Sequence, residues 1–290
     1  MKIREILKFL LLVVIYTVFW IAPMSVMPFS ETFRNLPETS PSMVMVLLCN
    51  LWFCFTICYI VLHSGWSAKR TIFATTGIMF LVMSFLQQIE TLFFGHAFPA
   101  LTTGDILLLM IGGLFPLIAT VPVATKFFHN KNNSFVKSFD KKKMVMSVIM
   151  LGFIFLVVYF VFGYFVAWQF EDLRVFYTNK ALKLGFWQQL AHNWNTNFMI
   201  FPFQIVRGML LALSAIPLFC MINNKIHFII CVCMMYVAVG VFLIIPNALF
   251  PDMVRWAHFI EVTSSMLLFG LITGFILSKI SKYQPSEKDI

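Results

Sequence analysis

The sequence predicts an all-α integral membrane protein, a bundle of about eight transmembrane helices. Of its 290 residues, 60% are hydrophobic and only 11% are charged, whereas soluble domains carry about 25% charged residues. The chain also contains eight apolar segments that are long enough to cross a bilayer, because the hydrocarbon core takes about 20 residues of helix. Finally, its basic residues cluster at the ends of these segments, as topology determinants do.

The apolar segments give the predicted spans in chain order, with ends placed to within a few residues. The predicted spans are residues 6–24, 43–63, 71–94, 106–128, 145–169, 199–221, 226–246 and 255–278. The basic start of the chain is similar to that of a signal peptide, but no small-x-small cleavage site follows the first segment. We therefore expect a retained first helix and a single polytopic transmembrane domain over residues 1–290, with a short cytoplasmic tail at 279–290.

The distribution of Lys and Arg among the loops predicts the orientation. Fifteen of the 21 basic residues fall at the N-terminus, in the even-numbered loops or in the C-terminal tail, and five fall in the odd-numbered loops. The remaining one, Arg207, lies within the sixth predicted span. Because cytoplasmic loops carry the excess of basic residues, we expect both the N- and C-termini in the cytoplasm. An odd number of spans would destroy this alternation.

Charge placement and motifs count against several function classes. The net charge of +9 comes from residues at span ends, so we expect no nucleic-acid partner. The sequence has no HExxH, no GxSxG and no phosphate-binding glycine loop, which are the signatures of common metalloproteases, serine hydrolases and nucleotide-binding enzymes. The six cysteines all lie in apolar segments without a CxxC pair, as small buried hydrophobic residues do.

Neither a cofactor nor a resident metal is expected from the sequence. The six histidines lie mostly at segment ends or in loops and are not paired within the hydrocarbon, as a bis-histidine haem site would require. A metal bound by His258 and Glu261, with His96 and Glu90 as further ligands, is an alternative, but the spacing of these residues has no diagnostic pattern.

The fifth loop, at about residues 170–197, contains an amphipathic segment. Within residues 184–194, apolar side chains that include Trp187 and Trp194 recur at helical spacing, and polar side chains take the other face. This pattern predicts a short helix at the outer interface of the membrane, with tryptophan at headgroup level. A lid over an outer-facing cavity is the alternative interpretation.

Polar residues inside three of the spans are the candidate functional residues. They form three pairs spaced i, i+3, which places the two side chains of each pair on one face of a helix. The pairs are Gln87 with Glu90, Gln204 with Arg207, and His258 with Glu261. A central charge in hydrocarbon costs roughly 2.5–3.5 kcal/mol on insertion scales, so such residues usually face a partner or water. The predicted topology places all three pairs in the outer half of the membrane, where we expect them to meet.

Within this cluster, two contacts are expected. Arg207 should pair with Glu90 or Glu261, because its planar guanidinium suits a carboxylate and pairing offsets the cost of desolvation. His258 and Glu261 are one helical turn apart and can contact each other directly.

Three interpretations of the cluster are open. The first is transport or binding of a small polar or anionic solute through an outer-facing cavity, with or without proton coupling, in which the six paired residues bind ligand or relay protons. The second is an intramembrane transferase or hydrolase with His258 and Glu261 as the catalytic acid–base pair. The third is a non-catalytic assembly or sensor protein with a structural polar network.

We favour the first interpretation, with Arg207 as the anion-binding residue. The expected partners are then the lipid bilayer and a small polar or anionic solute, and the sequence indicates no particular oligomeric partner. The short loops and the abundance of Lys and Phe fit a bacterial inner membrane.

Overall fold

The computed structural model describes residues 3–37, 42–130 and 137–282. Within these residues, eight helices are long and apolar enough to cross a membrane, in agreement with the predicted all-α membrane protein. Spans 1 to 8 are Ile3–Val26, Met43–His63, Ala68–Phe93, Thr103–Phe128, Lys141–Gln169, Ile200–Met221, Lys225–Ile244 and Asp252–Ser278. Their ends lie within four residues of the predicted segments. Of the predicted tail, residues 283–290 lie outside the described part of the chain.

Four spans are built from more than one helical piece. Span 3 comprises Ala68–Phe80, a π-helical turn at Leu81–Phe85, and Leu86–Phe93. Span 4 comprises Thr103–Gly112 and Phe115–Phe128. Span 5 comprises Lys141–Phe165 and the 3₁₀ turn Ala167–Gln169. Span 7 comprises Lys225–Val241 and the 3₁₀ turn Phe242–Ile244. Apolar periodicity alone does not predict these interruptions.

The loops add short elements. Their helices are Glu31–Arg34, the 3₁₀ turn Gly95–Ala97, Glu171–Thr178 and Phe186–Thr196. The last of these corresponds to the predicted amphipathic segment, whereas the Glu171–Thr178 helix was not predicted. Its first turn carries two acidic residues, which favour a helix start, but it is too short to stand out as an amphipathic pattern.

Contacts between loops gather the even-numbered loops at one end of the bundle. The backbone N–H of Gly65, in loop 2, donates to the carbonyl of Met221 at 2.7 Å. Lys137, in loop 4, donates from Nζ to the carbonyl of Ile222 at 3.2 Å. Loops 2, 4 and 6 therefore lie together, as eight consecutive crossings require.

A small antiparallel strand pair joins the segment after span 8 to the same end. Ser138–Phe139 precedes span 5 and pairs with Ser281–Lys282, with Ser138 opposite Lys282 and Phe139 opposite Ser281. This pairing was not predicted, because two residues per strand leave no alternating pattern to recognise. It ties the entry of span 5 to the exit of span 8.

The odd-numbered loops lie at the other end, where Asp105 joins loop 1 to the start of span 4. Its carboxylate accepts hydrogen bonds from the Ser30 backbone N–H at 2.7 Å and from the Ser30 hydroxyl at 2.6 Å. It also accepts from the backbone and hydroxyl of Thr102, whose hydroxyl in turn accepts from the Asp105 N–H in a capping box. One buried carboxylate thus caps the start of span 4 and anchors loop 1 to it.

Spans 5 and 6 cross closely beside the candidate residues. A Cβ atom on Gly208 would lie 2.4 Å from Phe155 Cβ and 3.1 Å from the Cα of Gly152, so a larger residue at position 208 does not fit. Membrane helices use such small residues because they allow two backbones to approach. Arg207 is the neighbour of this crossing point, and its direction is fixed by the contact.

Candidate functional site

The polar cluster is centred on an ion pair between spans 6 and 3. Arg207 donates from Nη1 to Glu90 Oε1 at 2.5 Å, so Glu90 is the partner among the two predicted carboxylates. Arg207 is 5% exposed, and its guanidinium carbon lies 5.7 Å from the centre of the Phe155 ring. Its Nε has no hydrogen-bond partner among the described residues. The guanidinium is therefore paired through one nitrogen, and part of its donor capacity is unused.

A second pair lies on span 8 and continues into loop 5. His258 Nδ1 lies 3.4 Å from Glu261 Oε2, the contact expected from their spacing. The other ring nitrogen, Nε2, lies 2.9 Å from the hydroxyl of Tyr177. Tyr177 belongs to the Glu171–Thr178 helix. The imidazole is therefore held between a carboxylate and a phenol, and its two nitrogens have different partners.

The two pairs belong to one cluster. Glu90 lies within electrostatic range of Glu261 and His258 as well as Arg207. The hydroxyl of Tyr159, on span 5, faces the same group of charges. One guanidinium thus lies beside two carboxylates and one imidazole, so the cluster has an excess of acidic groups unless a proton is bound.

The two predicted glutamines take different places. The Gln87 side chain is among those lining the cavity described below, and its amide nitrogen donates to the Val82 carbonyl of the π-helical turn at 3.1 Å. Gln204 is fully buried beside Tyr159 and is not part of the cavity wall. Its amide interacts with the Tyr159 hydroxyl, but neither polar atom of the amide makes a hydrogen bond of good geometry among the described residues. The structure therefore brings Glu90, Arg207, His258 and Glu261 together at the cavity, whereas Gln204 is buried outside the cavity wall.

The cluster lines a cavity of about 1260 Å³. Its wall extends from mid-span residues, such as Phe53 and Met266, to the odd-numbered loops. No residue of loops 2, 4 or 6 within the described part of the chain contributes to it. The cavity is therefore confined to one half of the bundle, the half that the charge distribution predicts to be the outer one.

The Phe186–Thr196 helix contributes its polar face to the cavity. Gln189, His192 and Asn193 line the cavity wall, while Trp187 is 76% exposed. This helix therefore has both of the expected features: an exposed tryptophan typical of an interfacial helix, and a polar face that borders the cavity as a lid would. Its polar residues therefore face the cavity as well as the surrounding solvent.

Local interactions set the position of span 8. Arg255 donates from Nη1 to the carbonyl of Ile244 at 2.8 Å and from Nη2 to Asp252 Oδ1 at 2.8 Å. It also donates to the Leu243 carbonyl at 3.2 Å. These bonds attach the first turn of span 8 to the last carbonyls of span 7, which would otherwise have no helical partner. His258 and Glu261 follow within the next two turns, so this attachment fixes their depth.

Two residues of the cavity wall, Tyr159 and Tyr177, were not predicted from the sequence to belong to the site. Tyr177 lies in a loop, where sequence spacing gives no information on which span it contacts. Tyr159 lies on a span with many aromatic residues, and from the sequence alone we expect it only to form a hydrogen bond between helices. Tyrosines inside or next to membrane spans were the available signal for both, since a buried phenol usually finds a polar partner.

Among the described residues, no group of three or more His, Cys, Asp or Glu side chains is placed to hold a metal ion. Comparison with known proteins gave no match to a protein-family model, to a curated protein or to a solved structure.

Proposed function

We propose that the protein binds a small polar or anionic solute in this cavity and transports it across the membrane together with a proton. The observation that carries the proposal is the singly paired Arg207 at the wall of a large cavity. A guanidinium presents five N–H donors in a planar fork, and here Glu90 takes one of them. Because Arg207 also lines the cavity, its guanidinium is suited to an oxygen-rich group on a solute.

The balance of charges in the cluster supports the binding of a proton together with the solute. The cluster contains Arg207 against Glu90 and Glu261, so an added anion would meet two carboxylates. A proton bound by the cluster, on His258 or on a carboxylate, removes that repulsion. An anionic solute and a proton are therefore expected to bind together.

The remaining wall of the cavity favours a solute with an apolar body. Aromatic side chains that line the cavity include Trp20, Phe94, Phe160, Trp168 and Phe250. Ligand sites commonly combine such apolar walls with a few polar groups that fix orientation. We therefore expect an organic solute whose charged end meets Arg207.

Two interrupted spans support transport over simple binding. Span 3 contains the π-helical turn Leu81–Phe85, and span 4 is broken between Gly112 and Phe115. Ser84 in the turn donates to the Met110 carbonyl at 2.7 Å, which holds the two interruptions against each other. Transporters often place broken helices beside a substrate site. On this view the one-sided cavity is the outward-open state.

The proposal includes an orientation and a location. The bias of basic residues toward the end formed by the even-numbered loops favours cytoplasmic termini, and it makes the cavity outward-facing. The short loops favour a bacterial inner membrane. The whole chain acts as one transmembrane domain, with lipid as its surrounding partner.

The enzyme alternative rests on the Tyr177–His258–Glu261 contacts, which resemble an acid–base arrangement. It predicts that the solute leaves the protein chemically changed. Transport predicts that it is recovered unchanged, so analysis of the solute after incubation separates the two. The structural interpretation predicts no solute at all, and the size of the cavity argues against it.

The test uses three probes of similar size: benzoate as an anion, benzamide as a neutral molecule and benzylammonium as a cation. Thermal unfolding of the purified protein is measured with each, because a ligand that binds the folded state raises its stability. We expect stabilisation by benzoate that exceeds the effect of the other two probes. Equal effects of all three, or no effect of benzoate, would contradict the proposal.

The matched variant is the double substitution Glu90→Gln/Arg207→Gln, which removes both charges of the pair and avoids a lone buried charge. It should fold and lose the response to benzoate. Arg70→Gln is the control, because Arg70 is exposed at the start of span 3, at the opposite end from the cavity. It should respond to benzoate as the unsubstituted protein does.

A further inference from the structure

Tyr177 is a cavity residue that takes no part in the Arg207–Glu90 ion pair. It lies on the Glu171–Thr178 helix and reaches span 8, where its hydroxyl lies 2.9 Å from His258 Nε2. The Phe94 ring meets it edge-on, with ring centres 6.4 Å apart. It also lines the cavity. Its hydroxyl thus contacts the imidazole on one side and borders the solute space.

The direction of the Tyr177–His258 hydrogen bond depends on the charge of the imidazole. In neutral His258 with its proton on Nδ1 toward Glu261, Nε2 is an acceptor, so Tyr177 donates to it and offers only oxygen lone pairs to the cavity. In protonated His258, both nitrogens donate. Nε2 then donates to the Tyr177 oxygen, and the phenolic hydrogen turns toward the cavity.

We propose that Tyr177 is the residue through which a bound carboxylate senses the proton on His258, so that the solute is a monocarboxylate bound with one proton. The inference rests on the proposed function and names its solute class. A carboxylate offers two acceptor oxygens, one for the guanidinium of Arg207 and one for the Tyr177 hydroxyl, and both residues line the cavity. When His258 loses its proton, Tyr177 presents lone pairs to the carboxylate and repels it.

Histidine is suited to this role because its neutral imidazole has one donor and one acceptor nitrogen, whereas the protonated ring has two donors. The ionisable groups around His258 come from four other elements and from its own helix. Glu261 on span 8 and Tyr177 on the loop helix contact the ring, and Glu90 on span 3 lies within electrostatic range of it. Arg207 on span 6 and Tyr159 on span 5 belong to the same cluster through Glu90. His96 borders the same cavity. Glu90 is engaged by Arg207, which leaves Glu261 as the direct partner of the imidazole.

Tyr177 itself stays uncharged in this scheme. Burial raises the pKa of Tyr177 well above its usual range, and the nearby Glu90, Tyr159 and Glu261 add to the effect. The phenol therefore keeps its hydrogen at physiological pH and acts as a hydrogen-bonding group in both states of His258. One proton, held on the imidazole, accounts for the change.

The test measures the affinity of the purified full-length protein for benzoate as a function of pH. Affinity should strengthen as pH falls, by up to tenfold for each pH unit while one proton is being bound. In Tyr177→Phe, which keeps the aromatic ring, benzoate should bind about tenfold more weakly at acidic pH, with little change at alkaline pH. His258→Gln should bind benzoate with a flattened pH profile.

Tyr164→Phe is the matched control, since Tyr164 also borders the cavity but donates its hydroxyl to the Leu184 carbonyl at 2.8 Å. It should keep the pH profile of the unsubstituted protein. A Tyr177→Phe protein that binds benzoate with an unchanged pH profile would overturn the inference and leave the solute site standing. Absence of benzoate binding to the unsubstituted protein at every pH would instead defeat the proposed function.

Discussion

At the scale of single residues, Arg207 has two tasks that substitution can separate. It neutralises Glu90 between spans 6 and 3, and it borders the cavity in which we propose that a solute binds. A buried charge that loses its partner is strongly destabilising, whereas removal of both charges is often tolerated. Loss of activity in a single variant would therefore report folding as much as binding.

A double-mutant cycle tests the ion pair. Glu90→Gln and Arg207→Gln should each lower the free energy of unfolding by about 3–5 kcal/mol, because each leaves one charge unpaired. The double variant should lose less than the sum of the two single losses. Reversible unfolding in detergent is the measurement, and Glu171→Gln, at an exposed carboxylate of loop 5, is the control. Additive losses would show that the two side chains do not depend on each other.

The sequence could predict the ionisable members of the cluster because charge is rare in these spans. Glu90, Arg207 and Glu261 stand out against apolar neighbours, and the i, i+3 spacing predicts the contact of His258 with Glu261. It could not predict which carboxylate Arg207 takes, because that depends on the rotation of spans 3 and 8. The contact of Tyr177 with His258 could not be predicted, because a loop residue has no periodic pattern that indicates which span it contacts.

At the scale of helices, the crossing of spans 5 and 6 positions Arg207. Gly208→Ala should lower the free energy of unfolding by about 1–3 kcal/mol, because the new methyl group would overlap Phe155 and overpacking costs that much. Gly77→Ala is the control, since a Cβ at Gly77 meets no atom within 4 Å. It should be neutral or stabilising by up to about 1 kcal/mol, the helix preference for Ala over Gly. Equal stability of the two variants would remove the close crossing from the account.

The start of span 4 depends on a single carboxylate. Asp105→Ala should lower the free energy of unfolding by about 1–3 kcal/mol, because Ser30 and Thr102 would lose the acceptor of their buried hydrogen bonds. Asp172→Ala, at an exposed position of the Glu171–Thr178 helix, should change it far less. An Asp105→Ala protein as stable as Asp172→Ala would mean that loop 1 is held by other contacts.

The sequence predicts the eight spans but not the interruptions that divide some of them into shorter helices. The apolar length of each span is enough to place eight helices, because hydrocarbon thickness fixes that length. The π-helical turn at Leu81–Phe85 is bound to span 4, because the Ser84 hydroxyl donates to the Met110 carbonyl. Such tertiary contacts leave no periodic signal in span 3 itself.

At the scale of the whole molecule, the account requires the two ends of the bundle to face different compartments. Cysteine substitution at exposed positions tests this: Asp172→Cys in loop 5 and Ser67→Cys in loop 2. A membrane-impermeant thiol reagent added to intact cells should label the first and not the second, with the unsubstituted protein as the blank. The reverse pattern would invert the orientation and make the cavity face the cytoplasm.

The overall plan was predictable from the distribution of charge and apolar length, but the cavity was not. The excess of basic residues in the even-numbered loops predicts that successive loops alternate between the two sides, and the contacts of Gly65 with Met221 and of Lys137 with Ile222 agree with that alternation. A cavity of about 1260 Å³ depends on how far eight helices stand apart. That distance is set by side-chain packing between spans distant in sequence.

The most direct measurement is the labelling of Thr91→Cys from the outer side in the presence and absence of benzoate. Thr91 borders the cavity one residue after Glu90. The account predicts that an impermeant thiol reagent labels this position from outside, and that benzoate slows the reaction while benzylammonium does not. Labelling from the cytoplasmic side alone, or a rate that benzoate leaves unchanged, would contradict an outward-facing solute site.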